Sequence, residues 1–159
     1  MRIVILNGPN LNLLGRREPA VYGRKTMEQV LLDIQRAYPD VLLEYHQSNH
    51  EGDLIDWIQK YGLASLKDGA NCYSLESKSA VKGIVLNAGG YTHTSVALRD
   101  ALACCETKVV EVHISNIAER EEFRRINLLT DVCAKSIIGH GTDGYKEAVE
   151  WLVNETAND

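Results

Sequence analysis

Short apolar runs alternate along this chain with stretches in which apolar residues return every three or four positions. Ile3–Leu6, Val41–Tyr45, Gly83–Leu86, Val109–Val112 and Ile137–Ile138 are the runs, and each reads as a buried strand. Thr26 opens the first helical stretch and Gln29 completes a capping box. Met27, Val30, Leu31, Ile34 and Tyr38 follow at helical spacing, and Pro39 ends the helix. Ser48 with Glu51 predicts a second capping box, ahead of an apolar face of Leu54, Ile55, Trp57, Ile58 and Tyr61 that Gly62 stops. A helix is expected over Val96–Cys104, and a charged helical segment from near Glu119. Tyr145, Ala148, Val149, Leu152 and Val153 share one face of the last helix.

Strand and helix thus alternate five times, which predicts a doubly wound parallel sheet with helices on both faces. All 159 residues read as one domain. Leu63–Lys82 is weakly patterned and reads as an insertion or a ragged helix extension. In such sheets ligands sit beyond the carboxyl ends of the strands, near the point where strand order reverses. Those ends carry Asn7, then Asn87 followed by "AGGYTHTS", then His113 followed by "ISN".

The connection after the first strand is the anomaly. "NGPNLNLLGRREPAVYG", from Asn7 to Gly23, is roughly three times the usual strand-to-helix link. A polar loop of that length at a strand end reads as a lid.

Charge and cysteine content narrow the function. A net charge of −5 without a basic tract leaves no footprint for nucleic acid. Cys72, Cys104, Cys105 and Cys133 include no CxxC pair, which argues against a zinc site or a disulfide framework and for a reducing compartment. No apolar run is long enough for a membrane span, and the chain starts directly on a core strand, so a cytoplasmic protein is expected.

Several known site types fail on spacing. "GPNLNLLGRR" is not a phosphate-binding Walker loop, since six residues separate Gly8 from Gly15 and two arginines replace Lys-Ser/Thr. Asn7 and Asn87 occupy the positions where a phospho-receiver domain needs carboxylates, and there is no GxSxG elbow. What remains is Arg16, Arg17 and Tyr22 on the long loop, and His93 and His113 at strand ends. Taken singly, the arginines are more often solvated surface charge and the tyrosine a packed aromatic, while each histidine serves as readily in structure as in catalysis. "EVHISN" puts Glu111 and His113 on one side of one strand, where a carboxylate can orient an imidazole and favour its protonated form. A structural hydrogen bond at a strand end has the same pattern. A non-catalytic module that binds a small anion with its arginines fits these residues too.

Three blocks, "GPNLNLLGRREPAVYG", "LNAGGYTHTSVALRDA" and "EVHISNIAEREEFRR", together resemble the type II 3-dehydroquinate dehydratases, in that family's order and over nearly the whole chain. The resemblance implies a flavodoxin-like fold, no metal or organic cofactor, and a dodecamer built of four trimers. It implies a hydro-lyase that takes water from 3-dehydroquinate to give 3-dehydroshikimate, in the shikimate pathway or in quinate breakdown. Residue by residue, Tyr22 matches the catalytic base, Arg17 the arginine that activates it, Asn10 the holder of a water against the enolate, and His113 the general acid. Asn87, His93, Asp100, Ile114, Ser115 and Arg124 match the substrate-binding set, while Glu18 and Arg120 match supporting positions. The chain departs from many members in carrying Ala88 and Gly90 for Pro and Ala, and in the length of 63–82.

The chemistry explains why such residues are needed. A phenol with a pKa near ~10 must be brought to about 7 to act as a base, which means favouring the phenolate by roughly 4 kcal/mol. An adjacent guanidinium, charged throughout, supplies much of that. A pre-oriented water or amide stabilises the enolate, and an imidazole protonates the departing hydroxide.

Overall fold

The first strand sets the frame. β1 (Arg2–Asn7) sends Ile3 and Ile5 into one core and Val4 and Leu6 into another, because successive side chains of a strand point to opposite faces. The computed structural model describes residues 1–16, 20, 23–63 and 81–157. β2 (Leu42–Gln47), β3 (Val81–Asn87), β4 (Val109–His113) and β5 (Lys135–Ile138) complete a sheet of order β2-β1-β3-β4-β5 with every pairing parallel.

Helices cover both faces. α1 (Met27–Ala37) and α4 (Asp143–Ala157) bury Met27, Val30, Ile34, Tyr145, Ala148, Val149 and Leu152 against Ile3 and Ile5. α2 (Glu51–Gly62) and α3 (Val96–Ala103) bury Leu54, Ile58, Tyr61, Leu98 and Leu102 against Val4 and Leu6. The capping box at Thr26 forms, with Gln29 N donating to Thr26 Oγ1 and Thr26 N donating to Gln29 Oε1. Among the described residues no helix is long and apolar enough to cross a membrane.

Two expectations need correction. His50, not Ser48, is the N-cap of α2, and its side chain makes no cap bond. Ser48 Oγ instead accepts from His50 N and donates to Asp53, so the expected Ser48–Glu51 box does not form. The helix expected near Glu119 is also absent. The β4–β5 connection holds the short 3₁₀ turns Ile117–Glu119, Glu122–Arg124 and Thr130–Val132. The segment lacks the apolar stripe that would dock a helix: Phe123 and Ile126 are exposed, and Leu129 alone is fully buried. The expected insertion at 63–82 falls mostly on 64–80, outside the described residues, and Val81 and Lys82 already belong to β3.

Candidate active site

Strand order reverses between β1 and β3, and the two asparagines at their ends stand side by side in register. The backbones after them are nearly in contact. Gly8 N donates to Asn87 O at 2.7 Å, and a Cβ on Gly8 would lie 2.4 Å from Ala88 O, so only glycine fits. Below this floor runs a buried hydrogen-bond chain. Gly89 N donates to Asn87 Oδ1, which turns Asn87 Nδ2 toward Tyr145 OH at 2.9 Å. Tyr145 then gives its own proton to Asn7 Oδ1 at 2.8 Å. Because the backbone N–H of Gly89 is a fixed donor, the whole chain has one direction. Burial pushes the Tyr145 phenol well up, with the Asn87 bond pulling the other way, so it stays neutral and structural.

One strand further on, Glu111 is fully buried on β4. Its Oε1 accepts from His113 Nε2 at 2.6 Å, Asn127 Nδ2 at 2.9 Å and Thr92 Oγ1 at 3.0 Å. Its Oε2 accepts from Ser136 Oγ at 2.8 Å and Thr130 Oγ1 at 3.0 Å. Burial works against the carboxylate, but the hydrogen bond and charge of His113, with Asn127 and Ser136, outweigh it and hold the carboxyl at about 2. Sheet geometry explains the set. Ser136 is the register partner of Glu111 on β5, while the turn after β3 and the irregular β4–β5 connection bring the other donors.

A cleft of about 180 Å³ opens over these strand ends. His113, Ile114, Ser115, Arg120 and Arg124 line it from β4 and the connection behind it. Asn87 and His93 line it from the β3 side, and Pro9, Asn10, Leu11 and Leu14 from the long loop. Asn10 takes the left-handed conformation, φ 67°, and its N–H donates to Asn49 Oδ1 at 3.0 Å. His93 gives its Nδ1 proton to Ile126 O at 2.6 Å. Burial and the nearby His113 and Arg124 charges lower its pKa, against the pull of the Ile126 carbonyl. The neutral ring therefore presents Nε2 as an acceptor. Arg120 Nη1 reaches Ser115 Oγ at 3.4 Å, and Glu121 draws both arginine side chains to one side, at 3.3 Å and 3.0 Å.

Of the residues picked from sequence, Asn10, Asn87, His93, His113, Ile114, Ser115, Arg120 and Arg124 converge on this cleft, and Glu111 stands directly behind His113. Asp100 does not: it is exposed on α3 and does not line the cleft of its own chain. Arg17, Glu18 and Tyr22, in the later part of the expected lid, lie outside the described residues, whereas its first part, through Arg16, is described. Sequence reasoning missed Thr92, Asn127, Thr130, Ser136 and Tyr145. Only Ser136 left a signal, as a hydroxyl in a short strand that must pair with β4. Among the described residues no group of three or more His, Cys, Asp or Glu side chains is arranged to hold a metal.

Comparison with known proteins agrees with this geometry. The family model described as dehydroquinase class II matches residues 1–153. The 3-dehydroquinate dehydratase of Bacillus pumilus is 46% identical over 156 residues, covering 96% of this chain and 94% of the relative. 3-Dehydroquinate dehydratase 1 of Agrobacterium fabrum is 43% identical, covering 98% and 97%. The crystal structure of type II dehydroquinase from Butyrivibrio crossotus superposes with a TM-score of 0.81 at 42% identity, covering 96% of this chain and 97% of that one. That from Propionibacterium acnes gives 0.79 at 32% identity, covering 96% of each. A parallel sheet of this order, a cleft at its switch point and similarity along nearly the whole length lead to one assignment: the chain belongs to the class II dehydroquinase family.

Proposed function

We propose that the cleft binds 3-dehydroquinate and that the chain eliminates water from it through an enolate, giving 3-dehydroshikimate. Family membership makes the chain a hydro-lyase. The observation that carries the mechanism is the 2.6 Å contact between His113 Nε2 and a carboxylate held ionised. An ionised Glu111 has no proton to give, so Nε2 must carry one. That leaves Nδ1 as the ring nitrogen able to exchange a proton with a substrate.

The steps balance without any co-reactant. The phenolate of Tyr22, favoured by Arg17 with Glu18 in support, takes the proton beside the ketone. The electrons move into the enolate, which a water held by Asn10 stabilises. As the enolate collapses, the carbon–oxygen bond of the β-hydroxyl breaks, and His113 Nδ1 gives its proton to the departing hydroxide. Water and the conjugated enone are the products. Arg124, with Arg120 beside it, pairs with the substrate carboxylate, and Ile114 with Ser115 offers backbone amides. Asn87 donates, and neutral His93 accepts, at the ring hydroxyls. No metal or organic cofactor enters these steps.

Asp100 belongs to the binding set by resemblance but lies away from its own cleft. Assembly as four trimers, the dodecamer the family implies, lets it serve a neighbouring subunit's cleft. The reaction would belong to the shikimate pathway or to quinate breakdown, in the cytoplasm.

Adding 3-dehydroquinate to the purified protein and following enone absorbance tests the reading, and no turnover at any pH between 5 and 10 would refute it. Tyr22→Phe should lower kcat by roughly 10²–10⁴-fold, the usual worth of a positioned base, with the fold intact by circular dichroism. Substantial retained turnover would remove Tyr22 from the base role.

A further inference from the structure

Glu111 has more donors than the four lone-pair directions a carboxylate ordinarily offers. One of the five differs from the rest. Thr92, Thr130 and Ser136 give a single hydroxyl proton each, and His113 is the group being served. Asn127 alone touches both sides of the arrangement. Its Nδ2 donates to Glu111 Oε1 at 2.9 Å and lies 3.4 Å from His113 Nε2. Both nitrogens carry protons aimed at the same oxygen, so the 3.4 Å approach is between neighbours, not between donor and acceptor. The amide dipole thus presents its positive end to the ring.

The far end of the same side chain ties down the backbone. Asn127 Oδ1 accepts from Leu129 N at 2.8 Å and Thr130 N at 3.2 Å. Leu128 N donates to Thr92 O at 2.9 Å, and Leu129 is sunk in the core, so the loop cannot drift. The preceding carbonyl, Ile126 O, is the acceptor that orients His93. Asn127 itself does not line the cleft.

We propose that Asn127 is a positioning residue for the elimination, whose side-chain amide locks Glu111 and so holds His113 with Nδ1 as its reacting nitrogen. The inference rests on the acid role assigned to His113 above. Among the described residues, the charged or titratable groups around this pair are His93 from the turn after β3, Arg120 and Arg124 from the connection after β4, and Cys133 near Glu111. β5 adds the neutral Ser136 hydroxyl, while α4 packs on the opposite face of β4, against Val110 and Val112.

Asn127→Asp is the informative variant. Its Oδ1 still accepts from Leu129 and Thr130, so the loop is kept. Its second oxygen replaces a donor with negative charge facing Glu111 and the ring, which favours the protonated ring and makes it a weaker acid. We expect kcat to fall roughly tenfold with KM little changed, and the alkaline limb of the kcat profile to move up by about one pH unit. Asn127→Ser, which cannot reach Glu111, should act in the same direction by roughly threefold, and it decides the matter if the aspartate variant does not fold. A ¹⁵N-monitored titration of the His113 ring should move to higher pH in both variants, whether or not turnover occurs. A lowered melting temperature with unchanged kcat, limb and ring titration would overturn the proposal and leave Asn127 a purely structural residue. Inactive wild-type protein would instead sink the dehydratase reading, and the ring titration alone would then decide the inference.

Discussion

Two strands of this sheet carry the same spacing, Glu44-Tyr45-His46 on β2 and Glu111-Val112-His113 on β4. In each, alternation puts carboxylate and imidazole on one face, and His Nε2 meets Glu Oε1 at 2.7 Å and 2.6 Å respectively. Both carboxyls are held at about 2 against burial, by different means. Glu44 lies on the edge strand and takes bonds from Tyr61, from His46 and from Arg2, which brings a full positive charge. Glu111 lies inside the sheet and has hydrogen-bond donors instead of an arginine. The histidines differ more. His46 stacks on Trp57, with centroids 4.8 Å apart, and lies 5.5 Å from the Tyr61 ring. His113 lines the cleft. A Glu-x-His pair on a strand is therefore a product of β geometry, and its chemistry depends on where the strand end opens.

Removing each imidazole should separate the two pairs most widely. His113→Asn is expected to lower kcat by roughly 10²–10⁴-fold, the usual worth of a positioned general acid. His46→Asn should leave kcat and KM unchanged in the same assay. An equal loss in both variants would mean that β2 feeds the cleft and that the two pairs do not differ in function.

The two carboxylates should part in stability as well as in rate. At neutral pH, Glu111→Gln strands donors in a dry site and should cost about 3 kcal/mol, whereas half-exposed Glu44→Gln should cost about 1 kcal/mol. Both carboxyls are depressed from 4.5 to about 2, so their stabilisation is fully present above pH 4.5 and is lost as pH falls toward 2. Urea unfolding at pH 7 and pH 3 reads this directly. Wild type should lose stability over that interval, and each glutamine variant should lose less. If Glu111→Gln followed the wild-type slope, Glu111 would not be ionised in the folded protein.

The comparison also shows what a sequence yields. β1, α1 and its capping box were legible because periodicity and Thr26–Gln29 are local signals. The strand ends were legible because short apolar runs stop at polar residues, so Asn87 and His113 could be placed there, and His93 in the turn just beyond Asn87. The β4–β5 connection misled, since its charges fit a helix and only the lack of an apolar stripe opposed one. Ser48 was drawn off by Asp53, a competing acceptor five residues away. Asn127 and Tyr145 were invisible as site residues because the partners that tie them to the strand ends, Glu111 and Asn87 with Asn7, lie 16 and 58 or more residues away, across turns that no local pattern encodes. Asp100 matched its motif yet stands outside the cleft, since a motif fixes a position in the chain and not the cleft it serves.

The smallest effect isolates one bond of the edge cluster. Tyr61 OH donates to Glu44 Oε1 at 2.5 Å and lies 2.8 Å from His46 Nε2. The Tyr61 ring meanwhile stacks on His46 and receives the Arg2 and Lys60 cations, 5.6 Å and 4.9 Å from its centroid. Tyr61→Phe keeps those ring contacts and deletes only the hydroxyl. The expected cost is about 1 kcal/mol at pH 7, the net worth of a hydrogen bond, with turnover unchanged. Because that hydroxyl favours the ionised Glu44, the gap between variant and wild type should narrow as pH falls from 4.5 toward 2. A gap independent of pH would assign the loss to packing, and a fall in kcat would tie the sheet edge to the active site.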